Sequence, residues 1–170
     1  DSSNGNILYN YPIQVYRAPL LCVHGLWGNS ESFKVLESTL TSNSLYPGFT
    51  LSPLIYRIQY PNAASFESNK SVVKLGIDHL LNQVIDNNFS AGKIDIVSHS
   101  MGGILSRYYI QNPFGSVPYE GNVHKLITLN TPHSGSQASD WLMSNFGLPG
   151  MLILKWIKGG QSNIALDVPA

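Results

Sequence analysis

The sequence predicts an α/β fold: a mainly parallel sheet with helices on both faces. Three observations support this. Short apolar runs alternate with longer amphipathic stretches, in the order strand, helix, strand, helix, strand, helix, strand. Crossovers through helices return each strand parallel to the last. The residues with the most chemistry, in "HGLWG", "HSMGG" and "NTPHSGS", all follow predicted strands, at the carboxyl ends where such sheets gather ligands.

The first strand is read at 19–24, where "PLLCVH" is a continuous apolar run of the kind buried on both faces. "GLWGNS" is a loop, and Ser30 is read as the cap of a helix over 31–42, with Phe33, Leu36 and Leu40 near helical spacing. "PLIYRIQY" at 53–60 is the second strand, ended by Pro61 and Asn62. From 68 to 87, Val73, Ile77, Leu80, Leu81 and Val84 trace one face of a second helix, and "SAGK" is a turn. The third strand is "IDIVS" at 94–98. A helix over 101–111 follows and stops at Asn112-Pro113, because proline disfavours helix in the residue before it. "VHKLITLN" at 123–130 is the fourth strand.

The 170 residues suit one domain with a core of its own. Charged residues make up 12% and the net charge is zero, which argues against a nucleic-acid partner or a polybasic membrane dock. The lone cysteine, Cys22, excludes an internal disulfide and a cysteine metal cluster. Its apolar surroundings predict a buried, inert thiol. No set of histidines and carboxylates has metal-ligand spacing, so neither metal nor cofactor is expected. No apolar run is long enough for a transmembrane helix, and the polar start "DSSNGN" has no signal-peptide pattern. Two N-x-S triplets, at Asn69 and Asn88, would matter only in a source that glycosylates.

"IDIVSHSMGG" places Ser100 at the joint between a buried strand and a glycine-rich helix start. A serine hydroxyl needs a neighbouring base to act as a nucleophile, and it must stand clear of the backbone. A tight strand-to-helix turn achieves this but crowds the positions two before and two after the serine, which must be small. Here they are Ser98 and Gly102, in place of the two glycines of G-x-S-x-G. The Met101 N–H, at the start of the helix, is one candidate oxyanion donor. The loop "VHGLWGNSESF" supplies the second, with the Leu26 N–H chosen ahead of Trp27. Taken alone, Ser100 would fit a helix N-cap equally well; the two companion loops favour the nucleophile. His24 is read as shaping the oxyanion loop. His99 is read as lining the pocket wall or packing in the turn, and His79 as lying on the solvent side of its helix. His124 falls at the start of a strand, at the wrong end of the sheet.

Together, "VHGLWGNSESF", "VSHSMGG" and "LITLNTPHSGS", in this order and at these intervals, resemble the lipases and esterases of the α/β-hydrolase family, bacterial triacylglycerol lipases above all. The resemblance spans roughly 18–140. It implies Ser100 as nucleophile, Leu26 and Met101 as the oxyanion hole, Trp27 and His99 beside the substrate, and a carboxylic ester with an apolar acyl chain as substrate. Such a chain implies a secreted or extracellular enzyme. The family's acid and histidine follow two further strands, which are not found after 140. His133 matches a family histidine that is not the base, and Asp140 and Asp167 follow no recognisable strand. The expected organisation is therefore an N-terminal segment at 1–17, a hydrolase core at 18–140 and a lid-like region at 141–170, with the acid and base missing and turnover by this chain alone slight. The apolar stretch at 148–158 is either a lid that meets a lipid interface or a helix packed on the core. A phospholipase, a lipid deacylase, an acyltransferase, and a non-catalytic lipid- or protein-binding module remain the alternatives.

Overall fold

The computed structural model describes residues 17–42, 54–62, 64–88, 90–112 and 114–134. The expectations for 1–16, for 135–170 with Asp140 and Asp167, and for the lid-like stretch lie outside the described residues. In chain order the elements are strand β1 (Leu20–Val23), a 3-10 turn (Ser30–Phe33), helix α1 (Lys34–Thr41), strand β2 (Ile55–Arg57), helix α2 (Phe66–Asp86), strand β3 (Ile94–His99), helix α3 (Met101–Gln111) and strand β4 (Val123–Leu129). The strands form one sheet in the order β2-β1-β3-β4, and every pairing is parallel.

Alternation along the strands divides the interior in two. Leu21, Val23, Ile94 and Ile96 point to the face covered by α2 and α3, where they meet Val73, Ile77, Leu80, Leu105 and Tyr109. Cys22 and Val97 point to the other face and pack with Phe33, Leu20, Leu36 and Ile55. The expectation of helices on both faces is met. One charge lies inside the larger layer: the Lys70 side chain is 2% exposed, pairs with Glu67 at 2.8 Å, and lies 4.3 Å from the Phe114 ring centroid. That pairing offsets the desolvation of the ammonium.

Three boundaries differ from the sequence reading. Asn29, not Ser30, caps the first helical turn: its side chain accepts from the Glu31 N–H at 2.9 Å, and Ser32 Oγ accepts from the Asn29 N–H at 3.1 Å. This reciprocal pair satisfies donors that Ser30 would leave open. The predicted helix 31–42 therefore opens as a 3-10 turn and becomes α-helical at Lys34. The second strand is shorter than 53–60. Its ladder ends at Arg57, and after one further bond, Ile58 N–H to the Cys22 carbonyl at 3.1 Å, the chain leaves the sheet. Helix α2 begins two residues before the expected start, capped by Ser65, whose Oγ accepts from the Ser68 N–H at 3.1 Å.

The strand order places the candidate site. From β1 the chain runs outward to β2, then crosses back over β1 to β3 on its other side. The loops after β1 and β3 thus diverge from adjacent strands, and the crevice between them is where an open parallel sheet accepts a ligand. Of the two N-x-S triplets, the first is closed: Asn69 is 1% exposed and donates to the Pro61 carbonyl at 3.0 Å. No helix among the described residues is long and apolar enough to cross a membrane.

Burial of Cys22 pushes its thiol up to about 12; Glu37 adds to the shift and Arg57 opposes it. The folded chain keeps this proton while the unfolded chain releases it above about pH 9, so stability should fall as pH rises from 9 toward 12, by up to about 1.4 kcal/mol per pH unit from this group. Denaturant titrations of the protein and of Cys22→Ala across that range check it: the variant should lose this slope.

Candidate active site

Strand β3 runs straight into α3, and Ser100 sits at the joint with φ 52° and ψ −125°. Only glycine adopts this region readily; other residues are strained there by about 1–3 kcal/mol. Four contacts hold the strained turn. The Ser100 N–H donates to the Leu129 carbonyl at 2.8 Å, and the Ser100 carbonyl accepts from the Gly103 N–H at 3.0 Å and Thr131 Oγ1 at 2.9 Å. Ser98, two residues earlier, is fully buried and donates to the Ile127 carbonyl at 3.3 Å. The serine that replaces the first glycine of the motif is thus accommodated by a neighbour on β4. The Ser100 side chain makes no capping hydrogen bond, so the N-cap reading does not describe it.

The glycines after Ser100 are required by close approach. A methyl group placed on Gly102 would lie 2.3 Å from the His24 carbonyl oxygen and 2.5 Å from that of Val23. One on Gly103 would meet Thr131 Oγ1 at 2.0 Å. The start of α3 therefore rests directly on the backbone at the end of β1. Gly25 completes the contact: a methyl there would lie 2.9 Å from Ser100 Cβ. The loop after β1 is thereby held against the serine.

That loop is a tight turn. The Gly28 N–H donates to the Gly25 carbonyl at 3.1 Å, and Trp27, at the third position, has φ 59°. A positive φ there is the signature of a type II turn. The Leu26 side chain packs on the core. Among the described residues, no hydrogen bond occupies the backbone N–H of Leu26 or Met101. Trp27 is 68% exposed and His99 is exposed, so both lie where a bound molecule could touch them. His24 is buried, its Nδ1–H donates to the Gly25 carbonyl at 2.9 Å, and burial holds its imidazole below the usual histidine range, with that hydrogen bond opposing.

Chain beyond β2 straps this loop from outside. Tyr60 donates its hydroxyl to the His24 carbonyl, Asn62 donates to the Gly28 carbonyl at 3.2 Å, Gln59 accepts from the Ser30 N–H at 2.9 Å, and Arg57 donates to the Ser30 carbonyl at 2.7 Å. Arg57 also pairs with Glu31 at 2.8 Å and Glu37 at 2.7 Å. None of these partners was assigned to the site from the sequence, where Arg57 and Gln59 stood only as alternate polar positions in an apolar run and Asn62 only as the end of the strand. Thr131 was likewise missed, although its loop was expected at the site.

Among the described residues, the remaining histidines do not pair with a carboxylate beside Ser100. His124 contacts Asp95 at 2.9 Å, but Asp95 precedes Ser100 by five strand residues, roughly 16 Å of extended chain. His133 has Thr128 Oγ1 at 3.0 Å on Nε2 and Arg107 at 3.5 Å on Nδ1, so both its ring nitrogens are engaged. His79 is exposed beside Tyr56. No cluster of metal-ligating side chains occurs among the described residues.

The strained serine, the close-packed glycines and the parallel strand order define an α/β-hydrolase fold, and solved structures share it. The mature lipase BlEst2 of Bacillus licheniformis superposes with a TM-score of 0.58 at 24% identity, covering 88% of this chain and 53% of that one. The product of lin2722 from Listeria innocua matches with a TM-score of 0.53 at 19% identity, over 84% of this chain and 64% of that one. Phospholipase PlaB of Legionella pneumophila gives 0.55 at 15% identity, over 86% of this chain and 30% of its own. The chain thus spans less than two thirds of each of these relatives. It belongs to the family described as "Putative serine esterase (DUF676)", which matches residues 20–167.

Two variants test this geometry. Gly102→Ala should destabilise the fold by about 3 kcal/mol, because the new methyl meets two backbone oxygens with nowhere to go; thermal unfolding reads it. Ser100→Gly should raise stability by up to about 2 kcal/mol, the released backbone strain less the freedom glycine adds to the unfolded chain. Stability lowered by more than about 1 kcal/mol would show that the turn is relaxed.

Proposed function

We propose that this protein is a serine hydrolase of carboxylic esters, with lipid esters as its substrate class and Ser100 as its nucleophile. One observation carries the reading: Ser100 is held in a glycine-like backbone conformation against the loop after β1, and among the described residues neither its side chain nor the Leu26 N–H has a hydrogen-bond partner. Strain at a polar residue with free main-chain donors nearby is an expected feature of a catalytic turn. Membership of a serine esterase family supports the same chemistry.

In this mechanism Ser100 Oγ attacks the ester carbonyl carbon and gives its proton to a general base. The carbonyl oxygen, now negative, is held by the N–H groups of Leu26 and Met101. The C–O bond to the leaving alcohol breaks as the base returns the proton to that alcohol. Water, deprotonated by the same base, then attacks the acyl-serine, releases the acid and restores Ser100. Each oxyanion donor contributes about 3–4 kcal/mol to lowering the barrier. Trp27 and His99 flank the acyl or alcohol part of the substrate. His24 and His133 have their ring nitrogens engaged or buried, so this reading draws the base and its carboxylate from outside the described residues.

A fluorophosphonate probe applied to the complete protein should label Ser100, and Ser100→Ala should abolish both labelling and ester hydrolysis, with kcat/KM falling by at least about 10³-fold. Failure to label the folded protein, with no hydrolysis of short- or long-chain esters, would instead favour a non-catalytic binding module.

A further inference from the structure

His24 makes poor use of its surroundings unless one hydrogen bond matters. It is 1% exposed and stacks on Tyr60 with ring centroids 4.1 Å apart and planes 3° from parallel. Tyr60 also donates its hydroxyl to the His24 carbonyl, so one side chain grips both the ring and the backbone of this residue. Nδ1 reaches the Gly25 carbonyl oxygen, whereas Nε2 is buried and has no hydrogen-bond partner among the described residues. A carbonyl only accepts, so Nδ1 carries the proton and the orphaned Nε2 is bare. Phenylalanine would fill the same space and keep the stack without burying an orphan.

The bond acts on one peptide unit. Gly25 C=O and Leu26 N–H belong to the same planar trans amide, in which the two groups point in opposite directions. Two donors hold the oxygen: His24 Nδ1–H at 2.9 Å and the Gly28 N–H at 3.1 Å. With the oxygen held inside the turn, the Leu26 N–H must face outward. A methyl on Gly25 would lie 2.9 Å from Ser100 Cβ, so this amide stands beside the serine. Without the His24 donor the Gly28 N–H alone would hold this oxygen, and rotating the peptide plane, which exchanges a donor for an acceptor at the site, would break one hydrogen bond rather than two.

We propose that His24 is the positioning residue of the oxyanion hole: its Nδ1–H, steadied by the stack on Tyr60, locks the 25–26 peptide so that the Leu26 N–H is presented to the oxygen bound at Ser100. The inference rests on the hydrolase reading above. It separates function from stability in a way that a packing role for His24 would not.

Three variants of the complete protein test it. His24→Phe keeps the stack and removes the donor; it should be at least as stable as the parent, yet lose kcat by about 10²-fold with KM within about threefold, as expected for a hydrogen bond that matters in the transition state. His24→Gln, whose amide reaches the Nε2 position, should fare no better. His24→Asn, whose amide nitrogen falls at the Nδ1 position, should recover most of the lost kcat. A Phe variant with parental kcat, or losses in all three that merely track the folded fraction, would overturn the proposal. A long-range ¹H–¹⁵N spectrum provides a readout independent of turnover: His24 should be the Nδ1–H tautomer, and an Nε2–H tautomer would remove the donor and the idea with it. Should the parent protein fail to react with fluorophosphonate while His24 shows the Nδ1–H tautomer, the hydrolase reading has failed rather than the geometry of the loop. Parental labelling that is unchanged in His24→Phe sinks the positioning role alone.

Discussion

The approach of α3 to the end of β1 is the contact on which the rest depends. At Gly102 a helix N-terminus and a strand C-terminus meet backbone to backbone, with no room for even one methyl group between them. This contact brings the turn after β3 and the turn after β1 to the same place. The proximity of Gly25 to Ser100 goes with it. The strain at Ser100 is sustained because hydrogen bonds from β4 and its following loop over-determine the turn.

The sheet supplies rigidity from below and a polar strap supplies it from the side. Arg57, Gln59, Tyr60 and Asn62 leave the sheet in sequence and attach to successive points of the loop between residues 24 and 31. The loop has little apolar burial of its own apart from Leu26 and Phe33. Its shape is therefore a matter of directed bonds rather than packing.

Much of the fold was legible because its signals are local. An apolar run ending at a glycine pair marks β3 and α3, and the helix 101–111 appears at the residues read from sequence. The second strand was over-read because alternation persists to Tyr60, although Ile58 and Tyr60 are buried for contacts with α2 and with the loop after β1 rather than for the ladder. Choosing between adjacent caps, Asn29 and Ser30, needed the reciprocal bond from Ser32. The candidate site was legible in its three motif loops, which meet around Ser100. It was not legible in the strap, since Tyr60 meets His24 from 36 residues away and no spacing rule connects them. The base and acid left no signal within the described residues, where the one histidine–carboxylate pair, His124 with Asp95, is at the opposite end of the sheet.

Strand β4 closes the described sheet with an unusual outer row. Lys125, Ile127 and Leu129 share one face, and Ile127 and Leu129 are each 45% exposed, beside Val97 and His99 on the neighbouring strand. Two greasy side chains on a terminal strand invite a second molecule to add itself to the ladder, which is how sheets polymerise. Lys125 stands exposed in the same row, and a charged side chain on an edge strand opposes such pairing.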